Sequence, residues 1–247
     1  VSSPSPSEPQ RTGLDLHRPL PATWLFLAAI GANHLASGAR WWGAGRGTAW
    51  QAWCAGRGVR QRIEAGGGYG PLIDRGATWR LWTSVLVHVD ALHLLTNVAS
   101  LWVLGRLLEP LIGGWRLGAV AWAGGVAGAL VSHAAGHTQS DGASGAGFAW
   151  MGAAVTIGAL RRASLPADDA RLLGPVLGGF LALNLVASVA LPFVDLTAHL
   201  GGLAVGGIAG VALARPPRPL GTVAAAAVVL GSAAVVGWGA YRVYAGR

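Results

Sequence analysis

The sequence predicts an all-α polytopic membrane protein. Mean hydropathy is +0.49, only 11% of the residues are charged, and apolar windows recur along nearly the whole chain. Each window is long enough for the about 20 residues of helix that cross a bilayer. The short period-two segments of a membrane β-barrel are missing. A formal charge of +8 invites a nucleic-acid reading, yet every basic residue is Arg and most fall between the apolar windows. That placement suits topology signals and headgroup contacts, so the expected partner is the lipid bilayer and not nucleic acid. A composition rich in Ala, Gly and Arg, without Lys, points to a high-GC bacterial genome, and the expected location is the bacterial plasma membrane. The single cysteine, Cys54, excludes an internal disulfide and any multi-cysteine metal site.

The chain begins at Val1, without an initiator methionine, and 1–21 is rich in Ser and Pro with no apolar periodicity. It reads as a disordered cytoplasmic tail. The apolar run at 22–38 could by itself be a signal peptide; six more apolar segments downstream make it a first transmembrane helix. The stretch 39–80 is too polar to span. It sets Trp41, Trp42, Trp50 and Trp53 among Arg40, Arg46, Arg57, Arg60 and Arg62, a mixture suited to headgroup depth. Further spans follow at 92–112, 117–135, 143–160, 172–191, 197–214 and 220–241. The helical membrane domain is thus 22–214, and 215–247 adds one more helix.

Arg106 and Arg116 flank the turn after the second span, Arg161, Arg162 and Arg171 lie between the fourth and fifth, and Arg215 and Arg218 between the sixth and seventh. The alternate connectors contain no Arg. The positive-inside rule therefore places the N-terminus and the Arg-bearing connectors in the cytoplasm; only the long first loop disobeys. In this topology the spans at 92–112, 143–160 and 197–214 run in the same direction, so their N-terminal ends share the outer face.

All three of those ends carry polar residues, which are costly in a membrane segment. His93 and Asn97, in the stretch HVDALHLLTN that begins at His88, are four apart and share a helical face. Ser144 sits in Gly-Ala-Ser-Gly, and His199 precedes a Gly202/Gly206 pair whose spacing lets another helix approach closely. Gly145, Ala149 and Gly152 offer a matching small face. Packing those two spans together would bring Ser144 to His199, giving a weak hydroxyl nucleophile the base it needs. His93, Asn97 and the Ser144 backbone N–H could supply donors for an oxyanion. Taken singly, each residue has a plainer reading. A membrane serine bonds a backbone carbonyl, a histidine near a helix end sits at the interface, and an asparagine bridges helices. Convergence of all of them at one depth favours a site.

Trp79-Arg80, HVDALHLLTN, the LGRLLE run ending at Glu109, GASG and AHLGGLAVGG arrive in one order over 79–214. Together they resemble the rhomboid family of intramembrane serine proteases, in the bacterial form with a six-transmembrane-helix bundle and a seventh, C-terminal helix. The resemblance implies a serine endopeptidase that hydrolyses a peptide bond in the transmembrane helix of another protein, near its outer end. By it, Ser144 is the nucleophile and His199 the general base and acid. His93 and Asn97, with the Ser144 N–H, serve the oxyanion hole. His88, Trp79, Arg80, Glu109, Phe148, Gly202 and Gly206 are structural supports, and the span at 172–191 with 192–196 is the substrate gate and cap. No metal or cofactor is implied. Where many bacterial relatives carry Tyr under the histidine, this chain has Phe148, which keeps the stacking and loses a phenol hydrogen bond.

Asp195, four residues before His199, is a candidate triad acid, whereas the resemblance implies a dyad without one. Asp141 reads as a helix N-cap. His133 and His137 have a metal-like spacing, with no carboxylate beside them and no HExxH. The alternative function is a catalytically silent rhomboid-like protein that binds transmembrane helices, for which loss of the serine or histidine is the expected mark. A transporter would need ionisable groups at mid-membrane and repeated broken helices.

Overall fold

The computed structural model describes residues 14–15, 17–215 and 219–245. Most of the expected N-terminal tail, and Arg218, lie outside them. At the described end of that stretch, the Leu14 N–H donates to Asp169 and Leu20 is buried.

In chain order the helices are α1 (Pro21–Gly43), α2 (Ala49–Trp53), α3 (Val59–Glu64), α4 (Gly70–Ile73), α5 (Arg80–Thr83), α6 (Ala91–Ile112), α7 (Gly114–Ala134), α8 (Ser144–Leu160), α9 (Ala167–Arg171), α10 (Leu177–Ala190), α11 (Leu196–Leu213) and α12 (Pro219–Tyr244). A π-helical turn at Leu172–Val176, containing Pro175, joins α9 to α10. Two short strands, β1 (Gly68–Tyr69) and β2 (Gln139–Ser140), pair antiparallel. Among the described residues five helical stretches are long and apolar enough to cross a membrane: α6, α7, α9 through α10, α11 and α12. The protein is an integral membrane protein. α1 has the length to join them, but Asn33 and His34 interrupt its apolar run; they bond to Leu86 O (3.2 Å) and Trp53 O (2.9 Å).

α8 falls on the span expected at 143–160 and is short for a full crossing. It has 17 residues, about 25 Å of helix against about 30 Å of hydrocarbon. It can be this short because the other helices wrap it: Gly145 to Ala154 are buried without interruption. The core lies around it, built from Ile30, Leu101, Leu104, Leu108, Leu117, Trp150 and Ile157. The Trp150 indole donates to Leu117 O (3.0 Å), and Phe26 meets Trp122 edge-on.

Helix ends follow from local chemistry. Asp90 caps α6 by accepting from the His93 N–H (2.7 Å), and Gly113, with φ +82°, ends it. Asp195 caps α11 through the Ala198 N–H (3.0 Å). The start of α1 is capped from another helix. Glu109 accepts from the N–H groups of Ala22 and Thr23 (both 2.9 Å) and from the Thr23 hydroxyl (2.6 Å). α12 packs on α7 and α5, and its last turn meets α1 where Arg40 donates to Val243 O.

The first loop is a folded connector, and its arginines do not all face the membrane surface. It begins later than expected, because α1 runs on to Gly43 and takes in Arg40, Trp41 and Trp42; Trp42 and Trp50 are exposed, as an interfacial segment requires. Arg57 and Arg80, however, are buried. Arg57 donates to Ser37 Oγ (2.8 Å), His34 O (2.8 Å) and Ala52 O (3.1 Å). Burial lowers its guanidinium to about 10, so it stays charged at neutral pH. Arg80 donates to Ile63 O (2.9 Å) and Gly67 O (2.8 Å). Arg46 and Arg60 pair with Glu64, and Arg62 with Asp141. Buried guanidiniums are stable only when such acceptors surround them, and here α1 and the connector supply them together.

Candidate active site

The geometry begins with the α8–α11 seam. A methyl group at Gly202 would overlap Gly145 O, and one at Gly206 would overlap Ala149 O. From the other side, a methyl at Gly152 would come within 2.8 Å of Leu203 O. Small residues on both faces thus let two backbones touch. α7 closes the third side, where a methyl at Gly128 would lie 2.6 Å from Ala198 O.

This contact puts Ser144 Oγ 2.9 Å from His199 Nε2. Ser144 is the first residue of α8, and His199 is 7% exposed. Phe148, one turn along α8, stacks on the imidazole with centroids 4.1 Å apart and planes 16° from parallel. The ring is held on a third side by a residue the sequence had not singled out: Ser188 of α10, whose Oγ lies 2.7 Å from His199 Nδ1. No side chain caps α8, so its first-turn N–H groups, that of Ser144 included, are directed out of the helix end.

α6 brings the next residues. A Cβ on Gly142 would lie 2.8 Å from His93 Cε1, so His93 sits against the backbone just before Ser144. Gly142 also has φ +130°, a conformation that a side chain would strain. Asn97, one turn along α6, is buried and gives one amide hydrogen to His93 O (2.9 Å); an amide nitrogen has a second. His88 is fully buried. Its Nδ1 faces Leu86 O (3.3 Å), and its Nε2 faces the Ala143 N–H at a long 3.5 Å. Burial, with the neighbouring His93, lowers His88 to about 3, so it is a neutral prop under the loop that leads to Ser144. The N-terminal ends of α6, α8 and α11 therefore meet at one end of the bundle.

The remaining residues lie around this centre. Arg80 holds the connector and lies 4.5 Å over the Trp79 ring, which also abuts Gly239 of α12. Glu109 is at the far end of α6, capping α1. A small polar cavity beside Ser144 is lined by Ser84, Ser140, Asp141 and Asp195 among others.

Two carboxylates behave differently from their sequence reading. Asp141 does not cap α8; it accepts from the Gly68 N–H (2.8 Å), Gln139 (2.9 Å) and Arg62 (3.2 Å). The β1–β2 pairing turns it away from the helix end. Burial raises it to about 6 despite those partners. Asp195 does not reach the His199 ring. Its carboxylate accepts from Ser132 (2.5 Å), Ser140 (2.6 Å), Thr197 (2.7 Å) and the Ala198 N–H. Burial would raise it, but those four donors outweigh burial and hold it below the ordinary carboxylate value. His133 and His137 meet separate carboxylates, Asp74 at 3.1 Å and Asp195 at 3.9 Å.

Fold and site together define a helical membrane protein with a part-buried serine–histidine contact between two helices. The Rhomboid domain family model matches residues 75–216, more than half of the chain, and the chain belongs to the rhomboid family. It is similar to Rhomboid protease GluP of Bacillus subtilis, 32% identical over 145 residues, covering 59% of this chain and 28% of that protein. It is similar to RHOMBOID-like protein 5 of Arabidopsis thaliana, 36% identical over 150 residues, covering 60% of this chain and 48% of that one. Rhomboid-like protease 1 of Toxoplasma gondii is 30% identical over 146 residues, covering 58% and 50%. The matched stretch thus spans at most half the length of these relatives.

Proposed function

We propose that this protein is an intramembrane serine endopeptidase that cleaves transmembrane segments of other membrane proteins. The observation that carries the reading is the 2.9 Å contact between Ser144 Oγ and His199 Nε2, inside a helical membrane bundle. In the reaction, His199 Nε2 takes the Ser144 proton as Oγ bonds to the scissile carbonyl carbon. The carbonyl oxygen becomes an oxyanion, received by the Ser144 N–H with His93 and Asn97. Collapse breaks the C–N bond, and the imidazolium gives its proton to the leaving amine. The resulting acyl ester is hydrolysed by water through the same steps, which returns the serine.

Two features support placing the chemistry within the membrane. α8 is shorter than the hydrocarbon is thick, and the helix faces around it are rich in exposed apolar residues such as Leu92, Leu95, Leu183 and Val186. We assign the N-terminus to the cytoplasm and the site to the outer face. Of the connector arginines that opposed this orientation, Arg46, Arg57, Arg60, Arg62 and Arg80 are internally paired or buried, so they lose weight as topology signals. We take the membrane domain as 22–214 with α12 as an added helix, and Ser144, His199, His93 and Asn97 as the residues in contact with substrate.

The test is fluorophosphonate labelling of the purified protein beside Ser144→Ala. The expected result is a covalent label on the parent protein and none on the variant. No Ser144-dependent label, under conditions where a known relative reacts, would instead favour a silent helix-binding member of the family.

A further inference from the structure

α10 is an outward-facing helix. Leu183, Val186 and Val189 are each more than 60% exposed, and along the helix only Leu177 and Ser188 are buried. A buried serine on such a helix needs an account. The plain one is that it returns its hydroxyl to its own helix, and Ser188 Oγ is indeed 2.7 Å from Asn184 O. The same oxygen is 2.7 Å from His199 Nδ1, and these two contacts decide each other. A carbonyl only accepts, so both contacts are hydrogen bonds only when the Ser188 proton lies toward Asn184 O. The hydroxyl has one proton to give, and in that arrangement it accepts from the imidazole. Nδ1 then carries the ring hydrogen, which leaves Nε2 with its lone pair facing Ser144 Oγ. Asp195, the acid nearest in sequence, is occupied elsewhere.

We propose that Ser188 is the positioning residue for His199: by accepting from Nδ1–H, it selects the tautomer whose Nε2 can take the Ser144 proton, and it ties that ring to α10. The functional side of this proposal rests on the serine-protease reading; the tautomer side does not. A ring nitrogen's protonation is set by the hydrogen bond at the other nitrogen. Without an acceptor at Nδ1, the ring is free to adopt the Nε2–H form, which would donate toward Ser144 and leave the hydroxyl without a base.

The experiment uses the full chain in detergent, with its histidines labelled with nitrogen-15. The His199 signals are assigned by their loss in His199→Gln. The parent protein should show the Nδ1–H form, Ser188→Ala a clear rise in Nε2–H, and Ser188→Thr, which keeps a hydroxyl acceptor, the parent pattern. A parent protein in the Nε2–H form, or a tautomer ratio unmoved by Ser188→Ala, would overturn the proposal. Because the first of these outcomes needs no variant, poor folding of Ser188→Ala does not protect it. In fluorophosphonate labelling at saturating probe, Ser188→Ala should slow the rate about 10–100-fold and Ser188→Thr by less than about 3-fold. The half-saturating probe concentration should change little. If Ser188→Ala labels as fast as the parent protein, the positioning role fails while the protease reading stands. If the parent protein takes no Ser144-dependent label, the protease reading fails and the tautomer measurement alone decides Ser188.

Discussion

The α8–α11 seam and the connector between α1 and α6 hold backbone against backbone by opposite means. In the seam, glycines remove side chains so that carbonyls of one helix touch the other, and dispersion over a close contact does the holding. In the connector, long guanidinium side chains reach inward and gather carbonyls of α1, of the short helices α2 and α3, and of the turn at Gly67. The difference follows from the backbone. A helix satisfies its own peptide groups and can be packed dry. A loop at the edge of a bilayer must find donors for its carbonyls. The seam places Ser144 against His199, while the connector, through Arg62 and His88, supports the loop behind them.

The largest effect should come from the seam, and neighbouring glycines make the test sharp. Gly206→Ala would drive a methyl into Ala149 O, whereas at Gly207 the nearest atom to a methyl is Thr156 Oγ1, at 4.0 Å. Overpacking against rigid backbone costs about 3 kcal/mol, and the same displacement would part Ser144 from His199. Gly206→Ala should therefore unfold at markedly lower temperature and lose more than about 100-fold in labelling rate. Gly207→Ala should match or slightly exceed the parent stability, by up to about 1 kcal/mol, through helix propensity. Equal behaviour of the two variants would show that close approach is not what holds the seam.

Next in size is the connector. Arg80→Met keeps an apolar stem and removes the donors to Ile63 O and Gly67 O. Gly67 O loses its donor while Ile63 O keeps the Gly66 N–H, and one unpaired buried carbonyl should cost about 1–3 kcal/mol in thermal or denaturant unfolding. Labelling per folded molecule at low temperature should be nearly unchanged, because Arg80 touches neither Ser144 nor His199. A loss in labelling as large as that of Gly206→Ala would erase the distinction between the two regions.

The same contrast explains what could be read from the sequence. The seam was legible because its device is a spacing: Gly202 and Gly206 on one span, Gly145, Ala149 and Gly152 on the other. The ends of α6, α8 and α11 were legible because polar residues stand out against long apolar runs. The connector was not, since an Arg that faces headgroups and an Arg that faces loop carbonyls look alike in composition. Asp141 was misjudged for a related reason. A residue just before a helix invites a capping role, and only the long-range β1–β2 pairing aims it at Gly68 and Arg62. Ser188 was invisible because its contact depends on how α10 leans on α11, which no local pattern encodes.

Acid should distinguish the regions again, because buried groups outside the helices titrate in opposite senses. His88 is lowered by burial to about 3 in the folded protein, against 6.5 ordinarily. Its contribution is present above pH 6.5 and is lost as pH falls, by about 2 kcal/mol between pH 7 and 5. Asp141, raised by burial from 3.8 to about 6, protonates first in the folded state. It therefore stabilises the fold by about 1 kcal/mol over the same interval. His88→Gln should therefore lose about 2 kcal/mol less than the parent protein on going from pH 7 to 5, read as a smaller fall in unfolding temperature. An unchanged pH response in that variant would mean that His88 is not the buried neutral prop.

The smallest effect is expected at Asp195, which sits closest in sequence to His199. Its carboxylate caps α11 and gathers the hydroxyls of Ser132, Ser140 and Thr197, while His199 Nδ1 is served by Ser188. In Asp195→Asn the amide oxygen can still accept the Ala198 N–H, and asparagine is as good an N-cap as aspartate. The new NH2 would face hydroxyls that can rotate to accept from it. Stability should fall by no more than about 1 kcal/mol, and the labelling rate should stay within about 3-fold of the parent protein, in contrast to the about 10⁴-fold loss when the acid of a true triad becomes an amide. A loss of that larger size, with folding intact, would make Asp195 part of the catalytic relay and would move the orienting role away from Ser188.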